Sequence, residues 1–142
     1  MAAITTMLIE AATHHQLTWG FMNANEVLHN IPDEAFIKAV SIIYDNDDEQ
    51  SFFGICYNFS NYSDKSAKVK KDLHLKLFNY FTKAISDKKN GIILAIFHFY
   101  LCFYPKTKTC KEIIQILSEY SKIDKRIHDD MVAEFTSDFK HK

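Results

Sequence analysis

Apolar side chains recur every three or four positions along most of the chain, and sustained alternation of apolar and polar residues is absent. That is the period of an α-helix and excludes half-buried strands as the main element. The first stretch, Ile4 to Trp19, places Ile4, Leu8, Ala11 and His15 on one stripe, with Gly20 as its expected stop and Trp19 as an anchor against the core. Pro32-Asp33-Glu34 announces a second helix, because proline suits the first helical position and acids suit the positive end of the helix dipole. This helix turns Phe36, Val40 and Ile43 inward. The acidic run Asp45 to Glu49 breaks the pattern. Phe52, Phe53, Ile55, Cys56 and Phe59 then form a short aromatic helix, interrupted by Gly54, that ends in a polar loop from Ser60 to Ser66.

The clearest amphipathic segment runs from about Ala67 to Ser86. Val69, Leu73, Leu77, Tyr80, Phe81 and Ala84 share its inner face, while Lys68, Lys70, Lys71, Lys76 and Lys83 form a solvated one. The next segment, Gly91 to Tyr104, is apolar on every face except at His98, as expected of a helix enclosed by others, and Pro105 ends it. Thr109 and Glu112 have capping-box spacing and open a helix carrying Ile113, Ile114, Leu117 and Tyr120. Beyond Ser121, Ile123, Ile127, Met131, Phe135 and Phe139 recur at four-residue spacing. The predicted fold is all-α: one domain over residues 1–142, with a central hydrophobic helix surrounded by about six amphipathic ones.

Composition narrows the function more than the fold. The 142 residues are 47% hydrophobic and include twelve Phe and seven Tyr, enough for one substantial core and far from a disordered composition. Seventeen basic residues against eighteen acidic ones leave no basic field, which excludes nucleic acid as a partner on electrostatic grounds. Cys56, Cys102 and Cys110 lack CxxC spacing and read as reduced thiols. No signal peptide is indicated. The most apolar stretch, Ile92 to Tyr104, is shorter than the roughly 20 residues of a membrane span.

Little in the sequence points to chemistry. His14-His15 with His29 or His74 could in principle meet around a metal, yet no HExxH or paired Cys/His spacing supports it, so neither metal nor cofactor is expected. His98 reads as a hydrogen-bonded core histidine rather than a catalyst. Phosphate loops and nucleophile elbows are absent, and a non-enzymatic binding protein is expected.

Lys89-Asn90-Gly91-Ile92-Ile93-Leu94-Ala95-Ile96-Phe97-His98-Phe99 resembles the first homology motif of the Bcl-2 family of apoptosis regulators, typically NWGRIVAFFSF. Identity falls at Gly91, Ile93, Ala95, Phe97 and Phe99. Upstream, Ala84-Ile85-Ser86-Asp87 resembles that family's LFRD, if one residue is deleted from the following turn. Leu28 to Glu34 is a weaker likeness to the third motif, LxxxGDE, with Pro32 in the place of glycine. The second motif, with its tryptophan, is not recognisable. The compact chain, without a long loop after the first helix, resembles the virus-encoded, death-inhibiting members.

The resemblance implies a Bcl-2-like bundle with a hydrophobic groove that sequesters BH-3 helices of pro-apoptotic proteins such as Bim, Bak or Bax. Such a ligand sets anchors at i, i+3/i+4 and i+7 into apolar pockets while a charge pair fixes register. By motif position Leu94, Ala95 and Phe99 would form the floor and Tyr80 and Ala84 the wall of the fourth family helix. Periodicity alone suggests Phe36, Val40, Phe52 and Phe53 for the opposite wall. Lys88, Lys89, Asn90, Gly91 and Ile92 would edge the groove. Ile92 stands where the family has the arginine that pairs with the ligand's aspartate, and losing such a partner costs on the order of 2–5 kcal/mol. Lys88 or Lys89 is the nearest substitute cation. The implied location is the host cytoplasm, with mitochondrial association and a homodimer left open. Two other readings stand beside this one. The first is a viral Bcl-2-like protein that blocks innate immune signalling without using the groove. The second is a bacterial toxin-immunity protein, whose acidic face would be Asp45, Asp47, Asp48 and Glu49.

Overall fold

The structure, a computed structural model, describes residues 2–18, 20–21, 33–62, 67–122, 124–129 and 133. Among them six helices follow one another: α1 (Ala2–Thr13), α2 (Asp33–Asp45), α3 (Glu49–Tyr62), α4 (Ala67–Asp87), α5 (Asn90–Phe103) and α6 (Lys108–Ser121). Residues 125–129 are helical as well, and no strand occurs among the described residues. The all-α expectation holds. Trp19, the weaker motif likeness at Leu28–Pro32, His29, Met131, Phe135 and Phe139 lie outside the described residues, as do the side chains of Phe59, Val69 and Leu73.

Three helices stop in the same way, and none uses glycine. His15, Asp47 and Lys88 have φ of 58°, 50° and 58°, the left-handed region. Each is followed by a backbone N–H reaching five residues back, Gln16 to Ala11, Asp48 to Ile43 and Lys89 to Ala84, at 2.8, 3.2 and 2.9 Å. This is the Schellman arrangement, which satisfies carbonyls that a helix end otherwise leaves orphaned. It corrects the first boundary: α1 ends at Thr13 rather than at Gly20, because His15 takes the left-handed position itself. His15 is exposed at that turn rather than on the buried stripe of Leu8 and Ala11.

Other boundaries shift for local reasons. α3 runs through Gly54 without a break and extends to Tyr62, past the loop expected from Ser60. Its start is fixed by Asp48, whose carboxylate accepts the Ser51 N–H at 3.3 Å. α6 opens at Thr107 rather than Thr109, since the Thr107 hydroxyl accepts the Cys110 N–H at 3.2 Å. Asp124 plays the same role for residues 125–129 by accepting the Ile127 N–H.

One core joins the helices. α5 supplies Gly91 to Phe97, Phe99 and Tyr100 to it. α3, α4 and α6 pack directly on α5, while α1 packs on α2 and α2 on α3. Small buried residues on α1 and α2, namely Ala11, Ala12, Ala35 and Ala39, suit a close approach of those two backbones. His98 is the exception on α5: it is half exposed beside Glu49, Gln50, Phe53, Ala95 and Cys102, not in the core as the sequence suggested. No helix among the described residues is long and apolar enough to cross a membrane.

Candidate partner-binding site

The motif residues meet at the corner between α4 and α5. Asp47, in the turn after α2, presents its carboxylate to the first turn of α5, where Oδ1 accepts the Ile92 N–H at 3.0 Å. An acid here satisfies an orphan donor and faces the positive end of the helix dipole. The same turn explains Gly91: a Cβ at that position would lie 2.5 Å from the Asp47 carbonyl oxygen. Glycine is required for close approach rather than for an unusual φ. Lys89 donates from Nζ to the Asp45 carbonyl at 3.1 Å. Asn90 accepts from the Tyr120 hydroxyl at 3.1 Å and donates to Asp124 at 3.4 Å, tying the corner to the end of α6. Burial raises the Tyr120 pKa, and nearby Asp124 adds to it.

The substitute cations differ in their commitments. Lys89 is half-buried and bound to Asp45, whereas Lys88 is exposed at its left-handed turn. The side chain of Ile92, which the resemblance sets in the place of an arginine, is fully buried.

The expected floor is covered. Leu94, Ala95, Phe99 and Ala84 are all buried, and so are Phe36, Val40 and Phe52 from the opposite wall. The walls touch: the Phe52 ring meets Tyr80 edge-on at 6.0 Å, and the Tyr44 ring lies 5.7 Å from that of Tyr80. Tyr44 donates to Asp87 at 2.7 Å, and burial followed by this acceptor raises its pKa. Phe53 points elsewhere. Consecutive helix residues diverge by about 100°, so Phe53 packs on Phe99 and Phe103 at 6.5 and 6.2 Å, away from Phe52.

One opening lies between α2 and α4. Ile37, Lys76, Asn79, Tyr80 and Lys83 line a cavity of about 270 Å³ there. Ile37 is 46% exposed, and Tyr80 is half-buried with its pKa raised mainly by burial. Of the predicted groove residues only Tyr80 lines this cleft. Ile37 escaped the sequence reading because it falls off the Phe36, Val40, Ile43 stripe; an isoleucine on the polar side of an amphipathic helix was the available signal. A second cavity, of about 190 Å³, lies between α3 and α5 and is lined by Phe53, Ala95 and His98 among others. The acidic run offers no free face at Asp47 and Asp48, since Asp48 also receives the His15 Nδ1 at 2.9 Å. Among the described residues no three His, Cys, Asp or Glu side chains converge to hold a metal ion.

No protein-family model matches the chain, and neither a curated protein nor a solved structure does.

Proposed function

We propose that this chain is an inhibitor of apoptosis of the Bcl-2 kind, which sequesters BH-3 helices of Bim-like or Bak/Bax-like proteins by binding rather than turnover. The supporting observation is a conjunction. A helix buried without a break from Gly91 to Phe97 begins with the motif residues Asn90, Gly91 and Ile92, and an apolar cleft edged by Tyr80 opens beside the helix that precedes it. A paired set of helices with apolar residues at the mouth suits an amphipathic helix as ligand. Calorimetric titration with synthetic BH-3 peptides, Bim included, tests the reading. Submicromolar binding that is lost on Tyr80→Ala is expected, and silence across the panel from a folded protein would sink it.

One finding favours a second reading. Leu94, Ala95, Phe99 and Ala84 are covered, and the chain's own Asp47 occupies the first turn of α5. A protein that blocks innate immune signalling through contacts outside the groove has no need of an open floor. Binding of a signalling partner that survives Tyr80→Ala would move the assignment there.

A further inference from the structure

The cleft between α2 and α4 carries charge that its apolar lining does not require. Lys76 and Lys83 stand at its rim, seven residues apart on α4. That spacing is two helical turns, about 10.5 Å along the axis. Lys83 Nζ lies 4.7 Å from the centre of the Tyr44 ring, close to the mouth. Among the described residues no carboxylate forms an ion pair with either ammonium, and Glu34, on α2, is engaged by Lys38 at 3.5 Å.

The first turn of α5 is the reverse case. Its Ile92 N–H is taken by Asp47, and Lys89 is held by the Asp45 carbonyl. A second carboxylate brought there would meet the Asp47 charge at short range and be repelled. The place for an incoming acid is therefore on α4.

We infer that the α2–α4 cleft takes an amphipathic helix whose apolar face lies on Ile37 and Tyr80 and whose flank carries two carboxylates two turns apart, seated on Lys76 and Lys83. The inference rests on the reading of this chain as a receptor for amphipathic helices, and it names the chemistry that selects among them. Both contacts sit at a solvated rim, so they act through association rate and salt dependence more than through buried pairing. Each exposed pair is worth a few-fold in affinity, so two together give about tenfold.

The test uses the full chain and two designed helical peptides with the same leucine face, one with Glu at i and i+7 and the other with Gln at both. The Glu peptide is expected to bind about tenfold tighter at low ionic strength, and the advantage shrinks in high salt. It disappears in Lys76→Ala/Lys83→Ala and persists in Lys88→Ala/Lys89→Ala. Equal affinity for the two peptides overturns the inference. So does an advantage removed by the Lys88/Lys89 pair instead, and so does binding of neither peptide. All four lysines are outside the core, and unchanged thermal unfolding of both variants excludes misfolding as the cause. A Bim-derived BH-3 peptide is titrated in parallel. Its failure beside success of the Glu peptide removes the apoptotic reading and leaves the cleft chemistry standing, whereas its binding unchanged by Lys76→Ala/Lys83→Ala removes the cleft chemistry alone.

Discussion

The two ends of α5 are held by different forces. At its N-terminus Asp47, Asn90, Tyr120 and Asp124 form a set of polar contacts around a glycine that leaves no room for a side chain. At its C-terminus Phe99, Tyr100, Phe103 and Tyr104 meet Phe53, Tyr57 and His74 through rings 4.6 to 6.5 Å apart. Hydrogen bonds have direction, so the first end fixes how the turn after α2 and the end of α6 approach. Ring contacts tolerate several geometries and supply area instead. The aromatic end is correspondingly more open, with Phe103 38% exposed.

The largest effect is expected at the aromatic end, inside it. Phe99→Ala removes a buried ring and should cost about 3–5 kcal/mol in chemical denaturation; a loss below about 1 kcal/mol would mean that the end collapses freely. At the polar end Gly91→Ala drives a methyl group against the Asp47 backbone and should cost about 1–3 kcal/mol. If that variant is as stable as the parent, the turn is not wedged as described.

Lys88→Gly sharpens the comparison in the opposite direction. Lys88 holds a left-handed conformation that costs an ordinary residue about 1–2 kcal/mol. Glycine loses more chain entropy on folding, so a net gain of about 1 kcal/mol is expected at the same corner, read from the denaturation midpoint. The smallest effect concerns pH. His74, at the aromatic end, has its pKa lowered by burial, and its Nδ1 shares a hydrogen bond with the Tyr100 hydroxyl at 2.7 Å. The unfolded chain therefore takes up the proton first as pH falls below about 6.5. The stability from neutral His74 is complete above that value and is lost as pH falls toward the lower folded pKa. Thermal melts of His74→Gln should show a flatter acid limb than the parent; an identical limb would assign the dependence elsewhere.

Much of the fold was legible in the chain because helical periodicity is a local property. The buried run from Ile92 to Phe97 and the stripe of Leu77, Phe81 and Ala84 follow from spacing alone. The candidate site was less legible. Phe52 and Phe53 are neighbours in sequence, yet one braces Tyr80 and the other packs on Phe99, and no pattern within a single helix says which neighbour each will meet. Of the cleft-lining residues, Ile37 lies off the apolar stripe of its helix, and Lys83 reads as one more solvated lysine.

The sequence by itself determined the helices, their order, the greasy fifth one and a residue without a side chain at its first turn. Tertiary structure alone decided that Asp47 would be the group pressed against that glycine, that the resemblance-derived floor would be covered, and that an opening would remain between α2 and α4. The physical reason is range. Propensity, capping and amphipathicity act within a few residues, whereas whether a buried-looking stripe is covered or left open depends on a second helix many residues away in the chain.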